Sequence, residues 1–310
     1  MIQKRAMAGQ KIPLWHKLRN GLRIYREHRT NAWGGADAYR KRYNFLVKLL
    51  NQYTGRSVKD SRVLEIGCGQ RAATPLLFAA DGAEAFGVDV EVPTYHIDFQ
   101  VLLKILRTNG VDRALKSLGR HVLFDKRFFE DLKQVCGLHR LPFSRIHIEV
   151  TDASTLSFPE NYFNLTFSFG VLEHVANVEA TVQHINDTLK SDGVGVITVH
   201  LFPSLSGGHC MDWQLPDSHP SRVVPPWDHL LENKYPVNTF LNKLRLQDYR
   251  NIFEKYTVIE DEALTKGGES MLHLAPDSLL EEYTKEDLIT GGVRFIIRKK
   301  ALKSRRRNCD

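Results

Sequence analysis

The stretch "SRVLEIGCGQRAATPLLFAADGAEAFGVDV", residues 61–90, constrains the chain most. A short apolar run breaks into glycines at Gly67 and Gly69. A helix-compatible segment then closes at Gly82, and a second apolar run ends in Asp89. Strand, glycine turn, helix, strand is a βαβ unit. Its two strands must lie parallel, because the helix returns the chain to the same end of the sheet.

The rest of the pattern extends that unit. "ADAYRKRYNFLVKLLNQYTG" has helical periodicity and stops at Gly55. "RIHIEV", "FNLTFSFG" and "GVGVITVHLF" read as strands, the last two separated by the helical "EHVANVEATVQHINDTLK". "LRLQDYRNIFEKY" is helical, and "YTVIEDEA" and "GGVRFIIRKK" are two further strands. The expectation is a doubly wound, Rossmann-like α/β sheet of about seven strands, mostly parallel with an antiparallel last strand. Two blocks interrupt it, 91–144 after the second strand and 203–243 after the fifth, and are expected to form a helical cap. Both leave the carboxyl edge of the strands, where open α/β sheets bind their ligands. The implied division is a basic N-terminal helical segment (1–58), a catalytic domain (59–300) and a basic tail (301–310).

Charge is placed unevenly. The formal net charge is +7, yet residues 1–45 carry +9 and residues 298–310 carry +6, so the middle is acidic at −8. Basic ends suit phosphates, anionic lipid or an acidic acceptor. In "LWHKLRNGLRIY", Leu14, Leu18, Leu22 and Tyr25 share a helical stripe, which suits peripheral contact with an anionic membrane or docking on the chain's own domain. No apolar run is long enough to span a bilayer, and the N-terminus lacks the apolar segment of a secretory signal. The four cysteines are scattered, which points to a reducing cytoplasm rather than a disulfide framework.

On the glycine turn alone, two ligand classes are equally served. Gly67, Gly69 and Ala72 fit a dinucleotide fingerprint, with Asp89 at the distance of a ribose-binding acid. Three acids then separate the possibilities. Glu65 precedes the glycines, where a carboxylate is awkward beside a pyrophosphate. Asp89 ends the second strand, and Asp152 in "VTDAS" ends the third. Three strand-end acids suit a cationic, adenosine-bearing ligand without phosphate, and S-adenosylmethionine is such a ligand.

With "EIGCGQ", "DASTLSFPENYFNLTFSFGVLEHV" and "LKSDGVGVI" in place, the chain resembles the class I S-adenosylmethionine-dependent methyltransferases, well over 60–200 and loosely over 244–300. The resemblance implies S-adenosylmethionine as cofactor. Glu65, Gly67, Cys68, Gly69, Gln70 and Arg71 would then lie along the methionine end, and Asp89 and Val90 at the ribose. Asp152 and Ala153 would hold the adenine, with Phe169 and Gly170 beneath the cofactor. Two positions depart from the family pattern: Arg71 replaces a glycine, to pair with the methionine carboxylate or point to solvent, and Asn164 stands where an aspartate is usual. A nicotinamide-dependent oxidoreductase and a non-catalytic cofactor-binding protein are the alternatives.

The acceptor is less legible. A large cap suits a small-molecule or glycan acceptor, with oxygen the expected acceptor atom. Nucleic acid is disfavoured, because the place of a base-amine [DN]-P-P-[FY] motif reads "FGVLEH". An oxygen acceptor loses a proton, for which neutral histidine is a suitable base. His200 at the end of strand five and His209 in the following loop are the leading candidates, then His174 in "LEHV" and His229 beside Asp228; His219 is expected in solvent. In the loop, "HCMD" lacks the paired ligand spacing of a structural zinc site, so no metal is expected. "SLSGG" suggests hinge glycines and Trp213 a cover, together a mobile acceptor lid. Oligomeric state is not encoded in any of these features.

Overall fold

The computed structural model describes residues 35–95 and 97–300. The basic stripe at 14–25 and the 301–310 tail lie outside the described residues, and with them the membrane contact expected of the N-terminus.

Seven strands form one sheet: β1 (Arg62–Ile66), β2 (Glu84–Asp89), β3 (Ile146–Val150), β4 (Phe163–Phe169), β5 (Leu189–His200), β6 (Thr257–Lys266) and β7 (Thr290–Lys299), in the order β3-β2-β1-β4-β5-β7-β6. The first five run parallel. β7 enters antiparallel between β5 and β6, with His200 opposite Gly292. The strand order reverses between β1 and β4, and the loops leaving these two strands flank the crevice where such sheets bind ligands. The expected doubly wound, mostly parallel sheet is therefore present.

Alternation along the strands feeds two cores. On one face Val63, Leu165, Phe167, Val194 and Val196 pack under α1 (Gly35–Thr54) and α2 (Ala73–Ala80), through Leu46, Leu50, Leu76 and Phe78. On the other, Leu64, Ile66, Ile197 and Val199 meet Val182 and Ile185 of α6 (Val178–Thr188) and Phe253 of α7 (Leu246–Tyr256). Each such large apolar side chain contributes roughly 1.5–3 kcal/mol by leaving water. Because α1 buries Leu46, Leu49 and Leu50, it belongs to the packed body.

The two excursions are built differently. The first is helical, with α3 (Phe99–Asn109), α4 (Val111–Arg120), a π turn at 121–125 and α5 (Lys126–Cys136). Val111, Leu115, Leu118 and Val122 recur at helical spacing on its exposed side. The second has only short 3-10 turns at 211–213 and 228–230, so the expected helical cap comes from the first excursion alone. It folds instead around two buried indoles, Trp213 and Trp227, packed with Leu205, Leu279 of α8 (Asp277–Glu282) and Leu288 of α9 (Lys285–Ile289). The Trp213 Nε1–H donates to the carbonyls of Val224 and Pro225. Among the described residues, no helix is long and apolar enough to cross a membrane.

Candidate active site

At the donor end, the turn after β1 depends on glycine. Gly67 has φ +74°, and a Cβ there would lie 2.1 Å from Val171 Cγ2, just beyond β4. The Gly67 N–H donates to the Val88 carbonyl. Gly69 faces open space, with nothing within 4 Å of an added Cβ. Beneath the turn Glu65 is buried, and its Oε2 has no hydrogen-bond partner. Burial pushes its carboxyl up to about 8; the Arg42 charge pulls it down and Asp89 pushes it further up.

Asp89 is already engaged. Its Oδ2 accepts the Gly69 N–H at 2.7 Å and its Oδ1 the Glu91 N–H at 2.8 Å, so it staples the glycine turn to the end of β2. Burial raises its pKa, and these two amides pull it back. Asp152 caps the short 153–155 turn, its Oδ1 accepting from the Ser154 N–H and hydroxyl. Ala153 is buried, Val90 is exposed, and Cys68 is buried under Gly87.

Two residues assigned to the methionine end do something else. Arg71 neither points to solvent nor stands free for a carboxylate. Its Nε pairs with the buried Asp125 at 2.6 Å, and its guanidinium lies over the Phe128 ring. Gln70 turns its amide into the first excursion, donating to the Val92 carbonyl and the Ser117 hydroxyl. Arg120, which also meets Asp125, donates to Thr94 Oγ1. These contacts clasp the helical excursion to the glycine turn. The N-terminal helix contributes what the sequence did not suggest: Arg42 lies 4.3 Å over the Phe169 ring and packs on Tyr39. Asn164, the other departure, accepts from the Arg62 N–H and Lys190 Nζ within the sheet.

At the acceptor end, a cavity of about 480 Å³ opens beside Gly170, Glu173, His200, Ser206, Gly291 and Gly292. Three donors meet beside it, two of which, Glu173 and His200, line its wall. Glu173 comes from the 172–174 turn after β4, His200 from the last position of β5, and His209 from the loop beyond. One donor atom from each lies within 4.8 Å of the others. Glu173 Oε1 and His209 Nε2 are 3.9 Å apart, while Glu173 Oε2 and His209 Nε2 are buried without a hydrogen-bond partner. The His200 and His209 ring centroids are 4.9 Å apart. Burial lifts the Glu173 carboxyl to about 7, offset in part by the backbone amides of Glu173 and His200. Burial also lowers both imidazoles, His209 to about 3, with the neighbouring histidines adding to the shift.

The supporting contacts rank the histidines. His200 Nε2 is bonded to Ser206 Oγ at 2.8 Å. His174 donates its Nδ1–H to the Phe240 carbonyl and packs edge-on against His209. His229 donates from Nε2 to the Phe202 carbonyl, and Asp228 accepts from the Lys234 and Tyr235 amides, so these two do not form a pair. His219 is exposed, as its position suggested. The loop glycines are not hinges. A Cβ on Gly207 would lie 2.2 Å from the Phe202 carbonyl oxygen, which makes glycine a requirement of close packing. Glu173 is the residue that sequence reasoning passed over; its signal was an acid inside the otherwise apolar "GVLEHV".

The fold, the switch-point crevice and the flanking cavity define an enzyme of the Rossmann-like methyltransferase class. The chain belongs to the methyltransferase-domain family, which matches residues 37–256, and it is an S-adenosylmethionine-dependent methyltransferase. Among solved structures it is similar to the PH0226 protein from Pyrococcus horikoshii OT3, with 15% identity over 84% of this chain and 91% of that one and a TM-score of 0.43. It is also similar to an S-adenosylmethionine-dependent methyltransferase from Mesorhizobium loti, with 15% identity over 78% of this chain and 92% of that one and a TM-score of 0.41. No curated protein sequence matches the chain. The oxidoreductase and non-catalytic alternatives gain no support.

Proposed function

We propose that the chain methylates an oxygen of a small-molecule or glycan acceptor seated in the cavity at the ends of β4, β5 and β7. The observation that carries this reading is the convergence of Glu173, His200 and His209, with Glu173 and His200 on the cavity wall. An oxygen acceptor must shed a proton as it is methylated, and the cluster offers lone pairs to receive it. An amine acceptor asks less of its surroundings.

The donor end fits S-adenosylmethionine, which supplies an electrophilic methyl group on a sulfonium; the protein's share is orientation and electrostatics. Glu65 would receive the ammonium of the methionine end. Its partnerless buried oxygen and the open space at Gly69 support that role. With Arg71 held by Asp125, Arg42 becomes the better partner for the carboxylate. Asp89 would still accept ribose hydroxyls, since a carboxylate has about four lone-pair sites and two are in use. Val90 would stand beside the ribose, and Asp152 and Ala153 would border the adenine. Phe169 and Gly170 would lie beneath the cofactor. Cys68 and Gln70 would act through the shape of the turn.

We place the reaction in the cytoplasm, in keeping with the reduced thiols of Cys68 and Cys136. The basic N-terminal segment is proposed to approach anionic membrane, which sedimentation with anionic against neutral vesicles tests. The acceptor reading is tested by incubating the protein with S-adenosylmethionine and panels of hydroxyl and amine compounds, with mass spectrometry of the products. O-methyl products, lost in His200→Ala and His209→Ala while cofactor binding persists, are expected. Exclusive N-methylation, or unchanged turnover in both variants, overturns it.

A further inference from the structure

We infer that Glu173, His200 and His209 form a three-donor site for a borderline divalent cation of the zinc, iron and cobalt class, open toward the acceptor cavity. The site's existence stands on geometry; its role deepens and rests on the oxygen-acceptor reading above.

The cluster is unsatisfied as it stands. A buried polar atom without a partner is destabilising, and this cluster holds two, Glu173 Oε2 and His209 Nε2. Natural proteins retain such groups where something else completes them. His209 also sits at φ +55°, a left-handed backbone that is unfavourable for a non-glycine residue and persists where the surroundings impose it. Here the surroundings are the Ser204–Gly207 turn, drawn tight against the end of β5, and the His209 N–H bond to the Ser206 carbonyl. The strained residue therefore delivers its imidazole toward the other two donors.

The donor set selects the ion. Two imidazoles and one carboxylate suit borderline transition ions, whereas calcium and magnesium prefer all-oxygen sites. Metal–nitrogen and metal–oxygen bonds of about 2.0–2.2 Å put ligand atoms roughly 3–3.5 Å apart. Contraction of about an ångström from the present spread meets that, within the reach of side-chain rotation. Outer contacts of the kind that orient metal ligands are in place: Ser206 Oγ on His200, and the His174 ring, itself anchored to the Phe240 carbonyl, against His209. Three protein ligands leave a coordination position free, as in catalytic sites, and Glu173 and His200 border the cavity. A hydroxyl coordinated there releases its proton to water more readily, because the cation stabilises the oxyanion left behind. His200 and His209 then serve as ligands instead of proton acceptors.

The test uses untagged full-length protein, freed of metal by chelator and titrated with Co2+, whose visible d–d absorption reports its ligands. One ion per chain is expected. Glu173→Gln, His200→Ala and His209→Ala should each weaken binding by more than the 10–100-fold that loss of an outer-shell contact costs. The exposed His219→Ala should bind as the wild type does. Melting curves check that each variant folds, and the milder His209→Gln stands in for any alanine variant that does not. Absence of cobalt absorption in the wild type, or equal binding by folded Glu173→Gln and His209→Gln, overturns the site. Oxygen methylation that is untouched by chelation overturns the ion's role and leaves the acceptor reading standing. A cobalt-loaded protein that methylates only amines keeps the site and overturns the acceptor reading.

Discussion

The two ends of the active-site crevice treat their buried polar atoms in opposite ways. At the donor end most are already used: Asp89 staples the turn, Asp152 caps, Gln70 and Arg71 clasp the helical excursion. Glu65 Oε2 and Thr74 Oγ1 are left there without a hydrogen-bond partner. At the acceptor end two side chains converge with atoms left over, although the surrounding loop is packed on two indoles. The donor end is thus finished scaffolding with one vacancy of charge. The acceptor end is rigidly framed and chemically incomplete.

Cutting the clasp is the strongest test of that contrast. Asp125→Ala strips the partner from Arg71 and Arg120, and loss of one member of a buried pair costs about 3–5 kcal/mol. Both arginines are partly exposed, so the lower figure is expected in urea denaturation. The damage should fall on the donor side, with weaker cofactor binding and unchanged Co2+ binding. Gly67→Ala comes next, at about 2–3 kcal/mol from a positive φ and the clash with Val171. Adding Val171→Ala should restore part of it, and failure to do so would mean that the two ends are not interlocked there. Glu173→Gln is expected to lower kcat about 100-fold, the low end of what positioned acid–base groups supply, with the cofactor Kd nearly unchanged in calorimetry.

A smaller effect is set by pH. The folded Glu65 carboxyl, at about 8, holds its proton more tightly than the ordinary value of 4.5, so its contribution to stability is present below that ordinary value and is lost as pH rises toward 8. Binding of a cationic ligand has the opposite slope, because it favours the carboxylate. Cofactor affinity should therefore rise by up to about tenfold per pH unit as pH approaches 8, with proton release seen by calorimetry in two buffers. Glu65→Gln should flatten the profile. Least affected of all should be Leu115→Ser on the exposed stripe, within about 0.5 kcal/mol of wild type in thermal melts.

Legibility followed locality. The βαβ unit was readable because glycines, helix periodicity and strand runs are all short-range signals, and Asp89 sits at a fixed distance from Gly69. Arg71 was misread because its partner, Asp125, lies far along the chain in a helical excursion whose docking no local pattern specifies. The acceptor cluster spans residues 173 to 209, and only the adjacency of parallel β4 and β5 brings its parts to one edge. His174 drew attention in "LEHV", yet the tight turn after β4 buries Glu173 and hands His174 to the Phe240 carbonyl. The loop glycines looked like hinges because sequence cannot distinguish freedom from crowding; Gly207 is there because Phe202 leaves no room for more.

The place of β7 sets a timetable for synthesis. It follows the other six described strands in sequence, yet it stands between β5 and β6, and its Gly291 and Gly292 form part of the cavity wall. On the ribosome, β5 therefore waits with an open edge and β6 waits with no neighbour until residues 290–299 have emerged. Exposed strand edges invite wrong pairing, so this interval is when the nascent chain most needs shielding. The donor crevice can form from earlier residues, but the acceptor wall closes only once residues 290–299 have emerged.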